Sequence, residues 1–176
     1  MALTEDVLFQ ILLNLNDKKE YDDLMIVNKT INRVLNDHHF WKTKIEHDWQ
    51  ISIDTPSMVT WEKLKDIERQ QIPRFLNRLK YEDQQFNFKG DLTIIHNILF
   101  IDKKHTTNNG TVFIYFEKRN DQYHVKVIDS DDNTLSYFKS FKQVFQLLLQ
   151  LFYFFKYIKR RSAIGTRYIQ SINGIF

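Results

Sequence analysis

The chain has 176 residues, of which 43% are hydrophobic and 27% charged, a globular balance and not a disordered one. It has no cysteine, which removes disulfides, thiolate nucleophiles and cysteine-zinc sites together. Its net charge of +3 hides a split: residues 1–72 carry 9 Lys and Arg against 13 Asp and Glu, and residues 73–176 carry 16 against 9. Two modules with different partners are expected, 1–72 and 73–176, with the boundary near residues 72–82.

Thr4 reads as an N-cap, with Glu5 and Asp6 in the first helical turn where the macrodipole favours acids. Val7, Leu8, Ile11, Leu12 and Leu15 then follow at helical spacing and form one apolar stripe. A second helix is expected from Tyr21 to Leu35, on the spacing of Leu24, Val27, Ile31 and Val34. A third carries Trp41, Ile45 and Trp49. A fourth, capped by Ser57 or Thr60, carries Trp61, Leu64 and Ile67 until Pro73 interrupts it and pushes Ile72 away from helix. Phe75, Leu76 and Leu79 suit a further turn or two.

The pattern then changes. Phe86-Asn87-Phe88 alternates, Gly90-Asp91 is a turn signal, and the Ile-rich run Leu92–Ile101 reads as strand. A polar loop from Lys103 to Gly110 leads to Val112–Phe116, apolar at every position as for a strand buried on both faces. Asn120-Asp121 is a hairpin signal before Tyr123–Val127, a strand with one wet face. Asp129–Asn133 is a turn and Leu135–Phe138 a short strand. A long helix from Ser140 to Lys159 is apolar except for a stripe of Lys139, Gln143, Gln146, Gln150, Tyr153 and Tyr157, which predicts a buried helix on the sheet. Ala163–Phe176 suits one more short element. The expected fold class is α+β: a small helical module, then a small domain with an antiparallel sheet and one long buried helix.

The ordered set Leu3-Thr4-Glu5-Asp6-Val7-Leu8, Ile11-Leu12, Leu15, Asn28-Lys29 and Phe40-Trp41-Lys42 resembles an F-box. The family opens with Leu-Pro, a free residue, an acid and two aliphatics. Here Leu3-Thr4-Glu5-Asp6-Val7-Leu8 is followed by Ile11-Leu12 and Leu15 in matching register. The family's apolar steps towards Val-Cys-Lys fall on Tyr21, Leu24 and Val27, with Asn28-Lys29 next and Ile31 two places on. Its later landmarks fall on Val34-Leu35, Asp37 and Phe40-Trp41-Lys42, and more loosely on Trp49 and Trp61. The chain departs from the family at Thr4 (for Pro), Asn28 (for Cys or Ser) and Ile31 (for Trp).

The resemblance implies a substrate-recruiting subunit of a cullin-type (SCF) ubiquitin ligase. Its N-terminal helices would dock on the Skp-type adaptor, which binds the cullin, while the second half selects an unknown protein cargo. The adaptor-facing residues it implies are Leu3, Thr4, Asp6, Val7, Leu8, Ile11, Leu12, Val27, Lys29 and Ile31. The departures at Thr4 and Ile31 lie where the family touches its adaptor and imply a weaker grip. Without cysteine the chain has neither ring ligands nor a thioester nucleophile, so it would recruit and not catalyse. Independently of the family, a helical unit of about 45 residues holds more apolar side chains than it can bury alone. The stripe of Val7, Leu8, Ile11 and Leu12 then either docks a partner or packs on the chain's own second half.

Other functions find less support in the sequence. Lys156, Lys159, Arg160, Arg161 and Arg167, interleaved with Tyr157 and Tyr168, suit an anion on a nucleic acid or a cargo, or a solvated helix end. Asp129-Ser130-Asp131-Asp132-Asn133 starts like a calcium loop but has Thr134 where glycine is required and Ser140 where an acid is required. Asn28-Lys29-Thr30 is a glycosylation sequon inside an expected helix. Four scattered glycines and six unpaired histidines give neither a phosphate loop nor a metal motif, so no enzyme, cofactor or metal is expected. The acidic start is unlike a secretory signal, and Val144–Phe155 is shorter than the roughly 20 residues of a membrane span. A cytoplasmic or nuclear interaction protein without membrane attachment is expected. The alternatives to the ligase reading are an interaction protein using these helices outside any ligase, and a basic nucleic-acid-binding module. The Asn-, Ile-, Lys- and Phe-rich composition suggests an A/T-rich coding genome. F-box proteins also occur in large DNA viruses, so a viral source acting on a host's ligases is a further expectation.

Overall fold

The structure is a computed structural model and describes residues 4–91, 96–99, 109–138 and 140–158. The fold is α+β: N-terminal helices, then a four-stranded antiparallel sheet with helices. The chain divides into two compact units, Met1–Asp66 and Ile67–Phe176.

The first unit has five helices among its described residues: α1 (Glu5–Leu13), α2 (Lys18–Val27), α3 (Lys29–Leu35), α4 (His38–Trp49) and α5 (Met58–Asp66). The expected single helix over Tyr21–Leu35 is two. Asn28 adopts an extended backbone, and its Oδ1 accepts from Thr30 N (2.8 Å) and Ile31 N (3.2 Å), capping α3. A short amide side chain that satisfies the next helix's orphan donors favours a break over a continuous helix. Asp17 and Asp37 cap α2 and α4 in the same manner, and Ser57 Oγ accepts from Thr60 N at the start of α5. Phe40, Trp41, Tyr21 and Trp61 make edge-to-face or tilted contacts with centroids 5.0–6.3 Å apart. All four are buried, and each such pair adds about 0.5–1.5 kcal/mol beyond its buried area.

In the second unit a π-helical turn (Ile67–Gln71) precedes α6 (Ile72–Arg78). Ile72 is helical, contrary to expectation: Pro73 sits in the first turn of α6, directly after the π-helical turn, a position that tolerates proline. The strands are β1 (Gln84–Asp91), β2 (Asn109–Arg119), β3 (Gln122–Asp129) and β4 (Thr134–Phe138), in the order β1-β2-β3-β4.

Several strand expectations are corrected. Gly90 and Asp91 are not a turn but the end of β1, paired with Gly110 and Asn109. Within Leu92–Ile101, His96–Leu99 form a short helix, α7, and not a strand; the other residues of that run lie outside the described set. Most of the expected polar loop from Lys103 also lies outside it. Val112–Phe116 is not buried on both faces: Val112, Ile114 and Phe116 are buried, whereas Phe113 and Tyr115 are half-buried on the opposite face. The period-2 pleat separates the two sets whatever their polarity.

The β2–β3 hairpin turns at Asn120 and Asp121, both left-handed (φ 46° and 61°), as the Asn-Asp signal predicts. The next turn is closed by Asp129, whose carboxylate accepts from Asp131 N, Asn133 N and Asn133 Nδ2 at 2.8–3.0 Å. These bonds, Asn133's side chain first, hold its pKa below the usual carboxylate value.

Helix α8 (Phe141–Tyr153) starts at a Ser140–Gln143 capping box and passes into a π-helical turn, Phe154–Ile158. It touches β3, α6, α7 and the Ile67–Gln71 turn, and is covered so fully that Gln150 and Tyr153 are buried. Of the expected wet stripe, Gln143 is exposed and Gln146 and Tyr157 are half-buried, while Lys139 lies outside the described residues. Phe75, Phe86, Phe116 and Phe152 meet at the centre, with centroids 5.2–6.0 Å apart.

Candidate docking surface

Helix α1 has two apolar faces. Leu8, Leu12 and Leu13 point into the unit's core, while Val7 and Ile11 stand outward, 46% and 45% exposed. Residues one apart lie about 100° apart around a helix, so the stripe seen in the sequence divides lengthwise between the core and the surface. Asp6, Val7, Gln10, Ile11 and Asn14 line a shallow groove of about 360 Å³ along the outer face.

Thr4 is the exposed N-cap of α1, its Oγ1 3.5 Å from Val7 N. It occupies the first position at which the chain departs from the family. Asp6 and Lys29 are exposed. Val27 is 76% exposed and its neighbour Ile26 83%, both in the last turn of α2, which ends at Asn28. Ile26 was not legible as a surface residue, since in an unbroken helix its position is unremarkable. Of the other positions carried over from the family, Leu8, Leu12 and Ile31 are buried and cannot themselves meet a partner in this conformation; they support the surface from beneath. Leu3 lies outside the described residues. The outward set is thus Thr4, Asp6, Val7, Ile11, Val27 and Lys29.

The groove is held by a polar network that the sequence does not announce. Helix α1 ends with carbonyls that have no partner within the helix. The Tyr21 hydroxyl donates to Leu12 O (2.8 Å), with Leu15 O 3.0 Å away. The fully buried Lys44 donates to Leu13 O (2.6 Å) and to Asp48 Oδ1 (2.7 Å). Asp48 Oδ2 accepts from Trp61 Nε1 (2.7 Å), and His47 Nδ1 lies 3.1 Å from Asp48 Oδ1. Burial pushes the Lys44 pKa down against the opposing pull of Asp48, and pushes that of Tyr21 up. A buried ammonium at a helix C-terminus is favoured by the macrodipole and satisfies a carbonyl that water cannot reach.

Of the basic tail, only Lys156 lies among the described residues; it is half-buried, its Nζ 5.1 Å from the centre of the Tyr157 ring. Lys159, Arg160, Arg161 and Arg167 lie outside them. Among the described residues no group of His, Asp and Glu is placed to hold a metal ion, and no helix is long and apolar enough to cross a membrane. No protein-family model, no curated protein and no solved structure matches the chain, so the likeness to the F-box rests on the residues of the first unit alone.

Proposed function

We propose that the chain is a substrate-recruiting subunit of a cullin-type ubiquitin ligase, acting in the cytoplasm or nucleus, with the outer face of α1 docking on a Skp-type adaptor. The observation that carries this reading is the exposure of Val7 and Ile11 on a helix whose Leu8 and Leu12 are buried. An apolar ridge beside a shallow groove suits a partner that inserts apolar side chains, and such surfaces on small units mark interaction sites. The ordered landmarks from Leu3 to Lys42 name the partner class. Ile26 and Val27 add two further exposed apolar side chains on α2. The second unit then presents the cargo or effector.

Co-expression with a tagged Skp-type adaptor tests the reading. The chain should co-purify with the adaptor and a cullin, and Val7→Asp with Ile11→Asp should abolish the association while leaving the helical content unchanged. Association that survives in this double variant would remove the α1 face from the account.

A further inference from the structure

The face of the sheet opposite Val112, Ile114 and Phe116 carries rings beside charged groups. On β2 it presents Phe113, Tyr115, Glu117 and Arg119. The register sets Lys126 of β3 directly between Tyr115 and Tyr137, and sets Glu117 opposite His124. Phe113 and Tyr115 stack with centroids 6.3 Å apart and planes at 30°. His124 Nδ1 lies 3.0 Å from Tyr137 Oη, and Arg119 Nη2 lies 2.7 Å from Glu117 Oε2. Tyr115, Glu117, Arg119, His124, Lys126 and Tyr137 enclose a pocket of about 160 Å³. Lys126 and Arg119 are exposed, and Tyr137 is 42% exposed.

We propose that this sheet face binds single-stranded nucleic acid, with a base stacked on Tyr137 and a neighbouring phosphate held by Lys126. Flat rings beside a cation match a nucleotide's two recognisable parts, its π-face and its phosphate. The pocket's acid, Glu117, already has its charge met by Arg119, which leaves Lys126 as the surplus charge. The wider field agrees in sign, since residues 73–176 carry 16 Lys and Arg against 9 Asp and Glu. A phosphorylated peptide fits less well, because its recognition favours a bidentate guanidinium, and the pocket's guanidinium is engaged with Glu117. The proposal is independent of the docking role given to α1.

The test is fluorescence anisotropy of the full chain with labelled oligouridylate RNA and oligothymidylate DNA of about 12 nucleotides, within the span of a single-strand site. At least one should bind, and binding should weaken as salt rises from about 50 to about 200 mM. Tyr137→Ala should weaken binding about five- to hundredfold, the usual loss for one stacked base, while Tyr137→Phe keeps the ring and the affinity. Lys126→Gln, at an exposed position that tolerates change, should flatten the log–log salt slope by about 0.7, the value of one phosphate contact on a single strand. Lys142→Gln, at the exposed start of α8, should leave affinity within twofold. Preference for RNA or for DNA would report whether the 2′-hydroxyl is read, and either supports the proposal. Absence of binding to both oligonucleotides would overturn it. So would undiminished binding by folded Tyr137→Ala and Lys126→Gln, or binding of a phosphotyrosyl peptide in their place.

Discussion

The ammonium of Lys44 donates to the carbonyl of Leu13 across 2.6 Å, tying the middle of α4 to the end of the helix that carries the candidate docking surface. The same ammonium is 2.7 Å from Asp48, and the two side chains are 1% and 9% exposed. Removing one partner of a buried pair costs more than the pair contributes, because the other group is stranded. Lys44→Met keeps most of the stem and is expected to destabilise the chain by about 3 kcal/mol. Urea unfolding should show this as a lower midpoint at unchanged slope. A loss below about 1 kcal/mol, typical of an exposed pair, would show that the network does not hold α1.

Tyr21 gives a pH signature at the same helix end. Its folded pKa is raised above the ordinary 10.0, chiefly by burial. The stability it contributes is therefore fully present below pH 10.0 and is lost as pH rises from there towards its folded pKa, because the unfolded chain releases the proton first. At neutral pH, Tyr21→Phe should cost about 1 kcal/mol for the hydrogen bond to Leu12. Above pH 10 the gap between wild type and variant should narrow, as measured by chemical unfolding at stepped pH. A gap that widens would contradict the burial of the hydroxyl.

The β2–β3 hairpin offers a stabilising change. Asn120 and Asp121 both have positive φ, and Asp121 is the more ordinary left-handed residue at 61°. Asp121→Gly removes the Cβ penalty at the cost of an exposed ion pair with Lys118. A gain of about 0.5 kcal/mol is expected, and Asp121→Val should lose about 1 kcal/mol. Thermal melts of the two variants should bracket the wild type; the reverse order would contradict the turn geometry.

Much of this arrangement was legible in the sequence, where local chemistry decided it. Thr4 caps α1, Trp41, Ile45 and Trp49 share the buried face of α4, Asn120-Asp121 turns the hairpin, and Ser140 starts α8. The misreadings occurred where a neighbour in space decided. Val7 and Leu8 are both aliphatic, and only the packing of α1 against α3 and α4 sends Leu8 inward and Val7 outward. Phe113 reads as core in an unbroken apolar run, yet the pleat turns it to the face opposite Val112 and Ile114. Gly90 reads as a turn, but pairing with Gly110 extends β1 through it. The Lys44–Asp48–Trp61 network was missed because a lysine four residues before an aspartate usually marks an exposed helix face. Asn28 could have been found: an Asn within a helical run, followed by a fresh apolar repeat, is an N-cap signal.

The central claim is that α1 keeps an apolar face for another protein, and calorimetric titration of the full chain with a purified Skp-type adaptor tests it most directly. The account predicts one-to-one binding with a negative heat-capacity change from apolar burial, lost in Val7→Asp with Ile11→Asp and retained in Asp23→Asn at an exposed site on α2. No heat of binding, or equal affinity in the α1 double variant and the wild type, would contradict it.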